Sequence, residues 1–147
     1  MKNTDLKTFF ASINYNPEED KEKLAHICGL TKTRVNPKKN KFEFDYGMEQ
    51  TFFIKAFSDS IKCKNFFEIG TGRGTSSYAV SLTKTVEKIL TIDIISHQQK
   101  KQEAVNYKPA LVSNLDLYSL INFREKEKIQ FKHVDDYTDI VDKNEED

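Results

Sequence analysis

Apolar positions in the first third of the chain recur at helical spacing, whereas those in the middle fall in short, unbroken runs. Leu6, Phe9, Phe10 and Ile13 lie at i, i+3, i+4 and i+7, which predicts a helix over residues 5–13 capped by Thr4 or Asp5. Asn16, Pro17 and the acids Glu18, Glu19 and Asp20 read as a second helix start, with Leu24, Ile27 and Cys28 inward and a stop near Gly29. Residues 31–40 are basic, contain Pro37 and show no period, so they read as a loop. A third helical pattern covers residues 48–61, through Met48, Phe52, Phe53, Ile54, Ala56, Phe57 and Ile61.

The period then changes. Asn65–Ile69 is apolar without alternation, as a parallel strand covered on both faces would be. A glycine-rich turn follows, and then a helix of small residues over 75–82. Lys88–Asp93 is a second apolar strand that ends in an acid. Strand, helix and strand make a βαβ unit, which implies a right-handed crossover and a parallel sheet. Residues 96–109 read as a long polar connection. A helix over residues 114–123 turns either Leu115, Tyr118 and Ile121 or Leu117 and Leu120 inward. The charged turn Arg124–Lys128 leads to a third strand over residues 129–134, whose alternation suits a half-exposed edge. The predicted fold is α/β, with a helical cap or arm over residues 1–45 and a parallel-sheet domain over residues 46–147.

Length and charge narrow the class. The 147 residues suffice for one domain with a core. With 23 basic against 23 acidic side chains, no net field draws the chain to nucleic acid or to a membrane surface. No apolar run approaches the roughly 20 residues of a membrane-spanning helix. Cys28 and Cys63 form no C-x-x-C pattern and read as reduced thiols of a cytoplasmic protein. His26, His97 and His133 fall in no metal-ligand spacing, so no metal site is expected and they read as surface or hydrogen-bonded histidines.

The chemistry concentrates in residues 68–76, which read Glu-Ile-Gly-Thr-Gly-Arg-Gly-Thr-Ser. Glycines between a strand and a helix permit left-handed backbone and close approach of a ligand, and the helix start directs N–H groups at it. Dinucleotide-binding turns have G-x-G-x-x-G. Here the glycines fall at Gly70, Gly72 and Gly74, with Thr75 at the dinucleotide position and Glu68 two residues ahead. Asp93 follows Gly74 by about 20 positions, the spacing at which an acid meets ribose hydroxyls. A carboxylate suits a vicinal diol because it accepts two hydrogen bonds.

The pattern E-x-G-x-G-x-G resembles motif I of the class I S-adenosylmethionine-dependent methyltransferases, and the resemblance spans residues 48–140. It implies a Rossmann-like three-layer sheet of which strands one to three are present. It also implies that Gly70, Gly72 and Gly74 form the turn against the methionine part of S-adenosylmethionine, with Glu68 as the motif acid. Thr71, Thr75 and Ser76 would donate to the methionine carboxylate. Asp93 would hold the ribose, Ile94 the adenine face, and Asp135 or its neighbour Asp136 the adenine amine. Val134 stands where the family more often has glycine.

The family's sheet continues with a fourth strand on the open side of the first. The resemblance therefore implies the N-terminal part of a longer protein, or an incomplete reading frame, ending before the catalytic motif. The exposed edge left behind would be an aggregation site. The function it implies is methyl transfer, at oxygen for instance, to a small-molecule acceptor, with no nucleic-acid or membrane partner. No catalytic residue is assigned. Two other readings fit the turn: a fragment of an NAD-type oxidoreductase, disfavoured by Thr75, and a non-catalytic cofactor-binding or interaction module.

Overall fold

A computed structural model describes residues 6–14, 16, 19–31, 49–106 and 108–140. Three helices come first: α1 (Leu6–Ser12), α2 (Lys21–Thr31) and α3 (Glu49–Ser60). Then follow β1 (Asn65–Ile69), α4 (Thr75–Ser81), β2 (Lys88–Asp93), β3 (Lys101–Val105), β4 (Lys108–Val112), α5 (Asn114–Leu120) and β5 (Ile129–His133). Strands β1, β2 and β5 form a parallel sheet in that order, and β3 and β4 form a separate antiparallel pair. The expected caps at Thr4 or Asp5, the Pro17 helix start, the loop beyond Thr31 and the boundary near residue 45 lie outside the described residues.

Register explains which side of the sheet is covered. Phe66 pairs with Ile89 and Ile89 with Ile129, while Glu68 pairs with Thr91 and Thr91 with Phe131, so these side chains share one face. Phe66, Ile89, Ile129 and Phe131 belong to the core with Tyr78, Ala79 and Val80 of α4. Tyr118 of α5 stands edge-on to Phe131 with ring centroids 5.6 Å apart. Leu24, Ile27, Cys28 and Leu30 of α2 and Phe52 of α3 enter the same core, so the N-terminal helices are built into it.

The opposite face corrects the expectation that β1 is covered on both sides. Phe67 and Ile69 are 49% and 56% exposed there, and β1 pairs with β2 alone among the described strands. Among the described residues, the α/β arrangement is a three-stranded parallel sheet with α4 and α5 packed on the face of Phe66 and Phe131. Ile92, beside Ile69 in register, is nevertheless buried at the centre of the sheet.

Three other elements depart from the sequence reading. α2 starts at Lys21, after a turn in which Glu19 N–H donates to Asn16 O, and it runs through Gly29 to Thr31. Gly29 is no helix stop. A Cβ there would lie 2.9 Å from Asn106 Oδ1, and Asn106 N–H donates to Gly29 O across 2.9 Å. The glycine admits the tip of the β3–β4 hairpin, which replaces the expected featureless connection over 96–109. α5 stops at Leu120 and turns Leu117 inward, with Ile121 buried just past its end; Leu115 and Leu120 stay partly exposed. Its start is a capping box between Ser113 and Asp116.

The charged turn Arg124–Lys128 is a 3-10 turn with a specific task. Lys128 Nζ donates to Ser81 O and Thr83 O at 2.8 and 2.9 Å, at the end of α4. Lys126 Nζ donates to Tyr118 O and Ile121 O at 2.9 and 2.6 Å, at the end of α5. A cation at a helix C-terminus satisfies orphan carbonyls and complements the dipole. Two lysines of one turn thus close both helices that flank the sheet.

Candidate functional site

β1 ends at Ile69, and Gly70 N–H still donates to Ile92 O across 2.8 Å. The backbone then enters the left-handed region three times, with φ of 84° at Gly70, 54° at Gly72 and 80° at Gly74. A side chain in that region costs about 1–2 kcal/mol. At Gly74 packing adds a second demand. A Cβ would lie 2.8 Å from Cε2 of Tyr78, whose ring is fully buried one turn into α4. At Gly70 and Gly72 a Cβ would meet nothing within 4 Å. Gly74 is fixed by the core, whereas the other two border open space.

Asp93, at the end of β2, faces this turn. Its Oδ2 accepts from Gly72 N–H at 3.2 Å and its Oδ1 from Ile95 N–H at 2.9 Å. A carboxylate oxygen has two acceptor sites, and each oxygen of Asp93, a residue only 7% exposed, uses one of them here. Ile94 is 47% exposed beside it.

Glu68 lies under the turn, on the helix-covered face. Its Oε2 accepts from Ser77 Oγ at 2.7 Å and Thr91 Oγ1 at 2.8 Å, and Ser76 also hydrogen-bonds it. Burial pushes its pKa up; these hydroxyls only partly offset that, and the charge of Asp93 adds to it. Thr71 Oγ1 sits 2.7 Å from Thr91 Oγ1 and 2.9 Å from His97 Nε2. The Thr71 hydroxyl is thereby committed below the turn. Burial pushes the His97 imidazole down, with Asp93 opposing and His133 reinforcing the shift.

At the end of β5 the two acids separate. Asp136 Oδ1 accepts from Thr138 N–H at 2.9 Å, which caps the 3-10 turn Tyr137–Ile140. Asp135 has a side chain 99% exposed, 3.8 Å from His133 Nε2. His133, and not either acid, touches β2: its Nδ1 lies 3.1 Å from Asp93 O. Asp135 is brought to the rim of the site but not against Asp93.

Arg73, inside the glycine turn, faces away from the sheet rim. It donates to Leu30 O at 2.5 Å and Ala104 O at 2.7 Å and pairs with Glu103 at 3.3 Å. It latches α2 and the hairpin to the turn. The same residue lines a cleft of about 130 Å³ with Gly72, Ile95, Ser96, Gln99 and Lys101 among its walls.

The structure therefore gathers Glu68, Gly70, Thr71, Gly72, Gly74, Ser76 and Asp93 at one end of β1 and β2, with Ile94 beside them and Asp135 at the edge. Sequence reading gave no role in the site to Thr91, Ser77, His97 or His133, although it read the two histidines as surface or hydrogen-bonded, as both are. Their hydroxyl and imidazole groups carry no motif spacing, and only the register of β1 against β2 brings Thr91 beside Glu68. Among the described residues no cluster of three His, Cys, Asp or Glu side chains is arranged to hold a metal, and no helix is long and apolar enough to cross a membrane. No protein family, curated protein or solved structure matches the chain.

Proposed function

We propose that this chain binds S-adenosylmethionine at the turn after β1 and belongs to a methyltransferase acting on a small-molecule acceptor. One observation carries the reading: the Gly72–Asp93 hydrogen bond joins a three-glycine turn to an acid at the carboxyl ends of adjacent parallel strands. Ligands of open α/β sheets bind at that end. Open space before Gly70 and Gly72 leaves room for close backbone approach by a ligand. The carboxylate of Asp93 suits the two hydroxyls of a ribose.

The residues present fit the cofactor in part. The 130 Å³ cleft is well below the roughly 300 Å³ of a pocket that encloses a drug-sized ligand. The cofactor would therefore lie along an open rim. Glu68, Thr71 and Ser76, whose hydroxyl bonds Glu68, would support the turn from beneath, while Gly70, Gly72, Asp93 and Ile94 would face the ligand. Asp135 would reach the adenine amine only from the exposed end of β5.

Bound S-adenosylmethionine supplies an electrophilic methyl group on a sulfonium. The contribution of this chain is to hold and orient that donor. No side chain among the described residues is assigned as a base for the acceptor. Equilibrium dialysis of the full chain against S-adenosylmethionine and NAD separates the proposal from a dinucleotide reading. Saturable binding of S-adenosylmethionine with no NAD binding supports it; the reverse order of affinities refutes it. Retention of neither ligand by the folded chain would leave the interaction-module reading.

A further inference from the structure

Four side chains beneath the glycine turn form an unbroken hydrogen-bonded chain whose protons can be counted. With Glu68 ionised, Thr91 Oγ1 donates to Glu68 Oε2 at 2.8 Å. A threonine hydroxyl has a single proton, so Thr91 must accept from Thr71 across their 2.7 Å contact. Thr71 then has no proton left for His97, and the 2.9 Å contact must be donated by His97 Nε2. Every proton points toward Glu68. If Glu68 is protonated instead, the chain reverses: Glu68 donates to Thr91, Thr91 to Thr71, and Thr71 to an unprotonated Nε2.

We propose that Glu68, Thr91, Thr71 and His97 form a proton wire through the floor of the glycine turn, along which the Glu68 carboxyl and the His97 imidazole titrate as a coupled pair. The transfer balances. A His97 imidazolium gives its Nε2 proton to Thr71, Thr71 passes its own to Thr91, and Thr91 passes its own to Glu68 Oε2. His97 is left neutral with its hydrogen on Nδ1, and Glu68 is left neutral. His97 is thus a positioning residue, acting on the turn through Thr71, which stands between Gly70 and Gly72. The wire does not depend on which ligand the turn takes.

Its surroundings isolate it. Thr71, Thr91 and His97 are buried, and the His97 ring lies against Phe131 with centroids 5.0 Å apart. Burial moves Glu68 up and His97 down, both toward the neutral pair. The other charged groups facing it are Asp93 on β2, which raises both, and His133 on β5, which lowers His97. From α4 only the hydroxyls of Ser76 and Ser77 reach Glu68. Low local dielectric strengthens such a chain.

The test is nitrogen NMR of the histidine-labelled full chain across pH, with the three imidazoles assigned by His26→Gln and His133→Gln. The expected result is an Nε2–H tautomer at His97 wherever Glu68 is ionised. Glu68→Gln should lower the His97 midpoint by about one pH unit, as strongly interacting pairs do. Thr91→Val should abolish that response and Thr91→Ser restore it. Thr71→Val cuts the same wire at the next link and replaces Thr91→Val if the latter does not fold. An equal response to Glu68→Gln with and without the linking hydroxyl, or no response at all, overturns the proposal. So does an Nδ1–H tautomer opposite an ionised Glu68.

Discussion

The backbone N–H of Gly72 donates to the carboxylate of Asp93 across 3.2 Å, tying the loop after β1 to the end of β2. The same carboxylate accepts from Ile95 N–H, so Asp93 fixes the shape of two successive strand exits at once. Asp93→Ala is expected to destabilise the fold by about 1–3 kcal/mol, because two backbone N–H groups lose a charged acceptor. Chemical denaturation of the variant beside the parent chain measures this.

The three glycines should separate by substitution. Gly74→Ala combines left-handed strain with a Cβ driven against Tyr78, and about 2–4 kcal/mol of stability should be lost. Gly70→Ala and Gly72→Ala meet no atoms, so strain alone should cost about 1–2 kcal/mol each. Thermal unfolding ranks them. Equal losses at all three positions would contradict the packing role given to Tyr78.

Removing the ammonium of Lys128 by Lys128→Met should cost about 1–3 kcal/mol, because Ser81 O and Thr83 O lose a charged donor. Hydrogen exchange should quicken in the last turn of α4 and leave α5 unchanged. Lys126→Met should give the complementary pattern.

Arg73→Met should loosen the hairpin from α2 without opening the sheet. Leu30 O and Ala104 O would lose their shared donor, while the β1–β2 pairing keeps every partner. Faster exchange confined to β3, β4 and the end of α2 is the expected outcome. Lysine at this position should rescue little, since a single ammonium cannot reproduce the guanidinium fork.

Stability should respond to Glu68 with a definite sign. Its folded pKa is raised from 4.5 by burial, so between 4.5 and the folded value the native state keeps a proton that the unfolded chain has lost. Stability therefore falls as pH rises through that window. Glu68→Gln should remove the decline. His97, lowered from 6.5, acts oppositely: stability is lost as pH falls below 6.5 through its folded value. Unfolding curves across the acid range should show the Glu68→Gln variant gaining stability with pH more steeply than the parent.

Local signals made the main frame legible. The runs Asn65–Ile69 and Lys88–Asp93, with the glycine turn between them, led directly to two parallel strands and a crossover helix, and Asp93 to the end of the second strand. Features set by tertiary contact were not legible. Gly29 reads as a helix stop, yet it lies inside α2 because Asn106 packs against it. Lys101–Val105 and Lys108–Val112 lack clear alternation, and their pairing shows only through the Asn106 turn with its φ of 48°. Arg73 sits within the ligand motif by sequence, but its partners are 43 and 31 positions away. Phe67 and Ile69 resemble buried strand residues because composition does not record which face has a covering layer.

The central claim is a cofactor seat built from Gly70, Gly72 and Asp93. Calorimetric titration of the full chain with S-adenosylhomocysteine, repeated on Asp93→Ala and on Gly72→Ala, tests it most directly. Saturable binding by the parent chain that is lost in both folded variants is the predicted result. Binding that survives Asp93→Ala undiminished, or a folded parent chain that binds NAD in preference, would contradict it.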